Sequence, residues 1–182
     1  MNERMGRNRP TVLATRGIAV VPAWIPAVTE LERIDYVDCF QMATGQERAA
    51  EEWARALLGD RADAVQRFLW VGLLGLNIDR GASADLVAGW RMVQWSLTQV
   101  RLVTSSRGLH VNLIVRCGDG SVSLATALHY RRRIPGLKWQ ILSALHRRLA
   151  PGLLHGGAER LRGSTDHRGP SAAPPGRDRL RP

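Results

Sequence analysis

The stretch "LHVNLIVRCGDGSVSLATALHY", Leu109 to Tyr130, decides how this 182-residue chain folds. Midway along it an Asp-Gly pair, Asp119 and Gly120, separates two runs in which apolar and polar residues alternate. Asp-Gly favours a two-residue type I′ turn, because both central positions of that turn need a positive φ. With those two residues at the turn, Gly118 faces Ser121, Val115 meets Leu124, Leu113 meets Thr126 and Val111 meets Leu128. Apolar rows then meet apolar rows, so alternation and turn demand the same register. The other side of this ribbon carries His110, Asn112, Arg116, Ser123 and His129 and reads as a solvated polar face.

Working outward, Leu86 to Ser105 reads as two further antiparallel strands. Leu86, Ala88, Trp90 and Met92 share one face of the first, and a five-residue connection from Trp95 to Gln99 pairs Met92 with Leu102 and Trp90 with Thr104. Trp90 therefore belongs to the covered face, and Trp95 is expected at a partly exposed rim. Arg101 and Arg131 fall on the polar side. Upstream, "RIDYVDCFQMA" alternates as a strand, with Tyr36, Asp38 and Phe40 on one face and Val37 and Cys39 on the other.

Two helices follow that strand. Thr44 and Glu47 have capping-box spacing and open a helix over 45–58 with Ala49, Trp53, Ala56 and Leu57 on one side. A second, over 62–76, puts Val65, Phe68, Leu69, Gly72, Leu73 and Leu76 on its apolar stripe. At the far end Pro135 and Gly136 open a long helix in which Leu137, Ile141, Leu145, Leu149 and Leu153 recur every four residues, with a bend or break expected at Pro151. Five strands read clearly. The expectation is an α+β fold: a curved antiparallel sheet of five to seven strands wrapped around a long C-terminal helix, with two short helices after the first strand. It occupies 33–156, between an irregular arm at 1–32, where Ile18 to Val21 could pair as an edge strand, and a disordered basic tail at 157–182.

The net charge of +10 is not a nucleic-acid signature. Residues 1–16 and 157–182 each carry +3, and the basic cluster of Arg131, Arg132, Arg133, Lys138, Arg147 and Arg148 lacks the interleaved aromatic side chains of a stacking platform. The longest apolar run, "FLWVGLLGLNI" at 68–78, is about half of what a bilayer requires. Neither a transmembrane segment nor a secretory signal is expected. Cys39 and Cys117 stand apart on strands, which suits a reducing, cytoplasmic setting.

The element order, together with "DYVDCF" at 35–40, "GWRMV" at 89–93 and "LHRRLAP" at 145–151, resembles the START-like helix-grip superfamily, also called SRPBCC, which includes polyketide cyclase-like proteins and carriers of hydrophobic ligands. More narrowly these motifs resemble a bacterial domain family of unknown function placed near it, which also occurs fused to dinucleotide-binding reductase domains. "GLLGLN" and "GLLHGG" do not match the dinucleotide fingerprint G-x-G-x-x-G, so no cofactor is expected.

The resemblance implies an apolar cavity between sheet and terminal helix, binding a small hydrophobic molecule. Its expected walls are Tyr36 and Phe40 from the first strand, Trp90 and Met92 from the next, then Leu102, Val111 and Leu113. Leu124, Thr126 and Leu128 complete the sheet side, and Ile141 and Leu145 face them from the helix. Asp38 is the carboxylate placed to point inward; with Tyr130 and Thr104 or Thr126 it would form a small cyclase-like or isomerase-like site. His110 and His129 oppose each other, but no third ligand accompanies them, so no metal site is expected. The rival from another class is a protein-interaction module with a filled core, docking through the Trp95 rim or the basic helix.

Overall fold

The central hairpin forms in the register that the alternation requires. Its strands Leu109–Gly118 and Ser121–Tyr130 pair Val115 with Leu124, Leu113 with Thr126 and Val111 with Leu128. Asp119 and Gly120 have φ of 49° and 66°, the left-handed pair of a type I′ turn. The structure, a computed structural model, describes residues 9–81 and 83–166; the side chains of Trp95 and of residues 133–138, 140, 141, 165 and 166 lie outside that description.

In chain order the strands are β1 (Val12–Arg16), β2 (Tyr36–Ala43), β3 (Leu86–Val87), β4 (Trp90–Trp95), β5 (Gln99–Ser105) and the hairpin strands β6 and β7. The helices are α1 (Trp24–Thr29), α2 (Ala50–Leu58), α3 (Ala64–Arg67), which runs into a π-helical turn (Phe68–Leu73), and α4 (Arg133–Asp166). The described strands form one curved, open, entirely antiparallel sheet of seven strands in the order β1-β2-β7-β6-β5-β4-β3. One face is gripped by α4, α2 and the π-turn, which is the expected α+β helix-grip arrangement. Trp90 is buried on that face, edge-on to Trp70 with ring centroids 5.3 Å apart.

Several elements differ from the sequence expectation. The arm at 1–32 is not irregular throughout: β1 pairs with β2, Val12 opposite Met42 and Arg16 opposite Asp38, so the edge strand lies at Val12–Arg16 and not at Ile18 to Val21. Leu86 to Trp95 is not one strand. Ala88 and Gly89, with φ of 52° and 81°, make a second two-residue turn that folds β3 onto β4. Met92 does pair with Leu102, but the ladder then skips Val93 in a bulge, so Trp95 pairs with Val100 and the connection shortens to Ser96–Thr98. Trp90 pairs with Val87, and the expected pairing with Thr104 does not form.

The first cap is displaced as well. The Ala49 N–H donates to Glu52 Oε2 at 3.1 Å and α2 begins at Ala50, while Thr44 only accepts from the Gln46 N–H. In the second helix, bonding of the π type, such as the Leu74 N–H to the Leu69 carbonyl at 3.1 Å, adds a residue to the turn and rotates the stripe. Val65 and Phe68 consequently face solvent, and Trp70, Leu74 and Leu76 pack on the core.

The reverse face of the sheet is also covered. Val21 and Ile25 from the arm close over Val37, Cys39, Ile114, Ala125 and Ala127, forming a second, smaller core. Arg101, Asn112 and Ser123 are therefore buried and not solvated. Arg101 is accommodated by donating to the Thr29 carbonyl at 2.9 Å, to Asn112 Oδ1 at 3.2 Å and to Glu30 Oε2 at 2.5 Å. Arg116 stays exposed and lies over the Trp24 ring, 5.2 Å from its centroid.

Helix α4 is longer than its apolar repeat suggests. It continues through Pro151 to Asp166, so 157–166 is helix and not tail. Ala150, Leu154, Ala158 and Leu161 form its buried stripe, and Gly157 lets α2 approach so closely that a Cβ there would stand 2.7 Å from Leu57 Cδ2. The tail from 167 onward lies outside the described residues.

Candidate functional site

An apolar cleft of about 360 Å³ remains between the sheet, the π-turn and α4. Trp90, Val111, Leu113, Leu124 and Thr126 form its sheet wall, Leu69, Trp70 and Leu74 come from the π-turn and its flank, and Trp139, Leu142, Leu145, His146 and Leu149 come from α4. Of the expected wall residues, Trp90, Val111, Leu113, Leu124, Thr126 and Leu145 border the cleft. Tyr36, Phe40, Met92, Leu102 and Leu128 are buried behind it as packing. Ile141 falls outside the described side chains, as do Trp95, Arg133 and Lys138.

Among the described residues, four polar ones, Asp63, Gln66, Thr126 and His146, border the cleft, disregarding the indole nitrogens. The first two are occupied with each other: Asp63 Oδ1 accepts from the Gln66 N–H at 2.7 Å, and the Gln66 amide donates to the Leu58 carbonyl. Thr126 and His146 form a connected group at the sheet side. His146 Nε2 lies 3.2 Å from Thr126 Oγ1 and 3.4 Å from Asp38 Oδ2. Asp38 is fully buried, and its Oδ2 accepts from the Tyr36 hydroxyl at 2.5 Å. Its Oδ1 has no hydrogen-bond partner among the described residues. The His146 ring is clamped between Phe40 and Trp139, with centroid separations of 5.9 and 5.3 Å.

Local structure accounts for this convergence. The pleat of β2 puts Tyr36, Asp38 and Phe40 on the gripped face, Thr126 stands directly opposite Asp38 on β7, and α4 lowers His146 onto the pair. Burial, and then the charge of Asp38, pushes the Tyr36 hydroxyl far above its ordinary value, so it remains a donor. The Arg147 guanidinium lies beside that hydroxyl and partly offsets this, and so does not belong wholly to the outward basic face. Asp38 thus points inward as expected, with Thr126 beside it. Thr104 is engaged elsewhere, donating to the Asn77 carbonyl, and Tyr130 makes no contact with Asp38, its hydroxyl pushed up to about 12 by burial and then by the charge of Asp35.

Sequence reasoning missed His146, because the basic neighbours in "LHRRLAP" drew attention to charge. The signal was present in its spacing: Trp139, Leu142, His146, Leu149 and Leu153 recur at three and four residues, placing the imidazole inside the apolar stripe. On the reverse face His110 and His129 do form a cross-strand pair, with ring centroids 6.4 Å apart. His129 Nδ1 lies 3.0 Å from Asp35 Oδ2, and no group of three or more His, Cys, Asp or Glu among the described residues is arranged to hold a metal ion. No helix among them is long and apolar enough to cross a membrane. Burial, and then the Asp38 charge, raises the Cys39 thiol to about 12, which makes it an inert filler of the second core.

No protein-family model, no curated protein and no solved structure matches this chain.

Proposed function

We propose that this chain binds a small, predominantly apolar molecule in the cleft between the sheet and α4, in the manner of START-like helix-grip proteins. The observation that carries this reading is the cleft itself. Protein interiors close-pack, with few voids larger than a water molecule, whereas about 360 Å³ lies open here against a wall made almost entirely of Leu, Val and Trp. That volume falls at the lower end of the roughly 300–1,000 Å³ typical of small-molecule sites. With Asp63 and Gln66 engaged with each other, apolar walls and the Thr126–His146 corner suit a compact ligand having a single polar group.

Uptake of 1-anilinonaphthalene-8-sulfonate tests the reading. Fluorescence enhancement should saturate at one equivalent, and Leu145→Arg, at a half-open lining position, should weaken it about tenfold or more with the circular dichroism spectrum unchanged. Enhancement that never saturates, or that ignores Leu145→Arg, overturns it.

A further inference from the structure

We propose that His146 is the proton-transferring base of this cleft and that its substrate is a small, uncharged, apolar carbonyl compound, deprotonated at the carbon beside the carbonyl. This rests on the ligand-binding reading above and adds a reaction to it. Asp38 and Thr126 both stand against Nε2, and a carboxylate there holds the proton on that nitrogen. The lone pair is thereby left on Nδ1, which makes no hydrogen bond among the described residues, on a ring that borders the cleft. Asp38 is in turn fixed by Tyr36, whose hydroxyl stays protonated. A histidine that merely fills space does not require a fully buried carboxylate behind it, and this carboxylate keeps one oxygen without a partner. An oriented imidazole on the wall of an apolar pocket has the arrangement of a general base.

The lining selects the chemistry. Among the described residues no Ser or Cys borders the cleft to suit acyl transfer, and no Lys or Arg borders it to hold an anionic substrate. What remains is proton transfer at carbon. Nδ1 takes the proton from the carbon beside the carbonyl, and the C–H electron pair becomes the double bond of an enolate whose charge rests on oxygen. Thr126 stays with Asp38 on the Nε2 side of the ring, its Oγ1 3.2 Å away, and helps to orient the imidazole. The imidazolium so formed is balanced by Asp38 and returns its proton to the same carbon or to a conjugated one. The net result is exchange or isomerisation, with no oxidant or other co-reactant.

The groups facing His146 and its partners are Asp38 and Tyr36 on β2, Thr126 on β7, Arg147 on α4, and Arg16 on β1 over the Tyr36 ring. Asp38 is a positioning residue in this scheme. Removing its charge should release the hold on the Nε2 proton, lowering kcat with little change in KM.

The probe is 2-tetralone in D₂O, with deuterium exchange beside its carbonyl followed by proton NMR and binding followed by displacement of anilinonaphthalene sulfonate. The full chain should accelerate exchange saturably. His146→Gln, and His146→Phe, which retains ring packing against Phe40 and Trp139, should each lower the rate by about 10²-fold or more while displacement changes less than threefold. Asp38→Asn should lower kcat about tenfold or more while KM and dye displacement change less than threefold. Displacement without exchange, or exchange that survives both His146 variants, overturns the proposal and leaves ligand binding standing. Dye uptake that tetralone does not displace overturns the proposed substrate class alone, whereas absent dye uptake overturns both readings.

Discussion

Gly89 shows how a single residue can hold a wall of the cleft in place. Its φ is 81°, and a Cβ would stand 2.3 Å from Ile78 Cγ2 and 2.4 Å from the Asp79 carbonyl oxygen, so both conformation and space exclude a side chain. Gly89→Ala should cost about 3 kcal/mol in urea unfolding, combining left-handed strain with a backbone clash; a loss within 0.5 kcal/mol would show that the β3–β4 turn is not built this way. Acid stability also has a residue-level cause. His110 is held below its ordinary 6.5 by burial first and then by the charges of Arg131 and His129. Burial raises the Asp35 carboxyl, but the Tyr130 N–H, then Arg33 and His129, outweigh it and leave the group below its ordinary 3.8. For both groups the unfolded chain takes up the proton first as pH falls, so their stabilisation is complete above 6.5 and above 3.8 respectively and is lost through each lower folded value. The melting temperature should fall in two stages between pH 8 and 3, with His110→Gln flattening the upper stage and Asp35→Asn the lower. At this scale Asp38 was legible, because strand alternation alone turns it inward. For His146 the spacing along α4 shows an inward imidazole but not its partners, which lie on β2 and β7. Asp38 stands about a hundred positions earlier and Thr126 stands 20 earlier, separations that do not tell which side chains a helix meets.

Elements whose local signal and tertiary environment agree were readable. The β6–β7 hairpin has a turn dipeptide and two faces of opposite character, and its register follows from either. Elements stabilised by a neighbour were not readable. β1 is an exposed edge with little alternation, and it is a strand because β2 offers it a partner. The end of α4 contributes Ala158 and Leu161 to the core from within "GGAERLRGST", a composition that reads as a tail, and its helicity comes from packing on α2. Leu161→Ala should therefore cost about 2–3 kcal/mol in equilibrium unfolding, whereas a disordered tail would show no change. The π-turn was misread for a related reason: an apolar stripe counted at 3.6 residues per turn picks the wrong face once an extra residue enters the turn.

The whole molecule is a sheet covered on both faces, with two unlike cores. The arm and α1 close the reverse face completely enough to bury Arg101 with its partners, whereas α4 and the π-turn grip the other face and leave a cleft. That asymmetry is why the proposed ligand site lies on the gripped side. The most direct test is a two-dimensional ¹H–¹⁵N NMR titration of the full chain with anilinonaphthalene sulfonate. Saturable shifts should concentrate on Val111, Leu113, Leu124, Thr126 and the α4 segment around His146, with Cys39, Ile114 and Ala127 on the reverse face unmoved. Shifts that do not saturate, or that centre on the reverse face, would show that the gripped cleft is not where this protein meets its ligand.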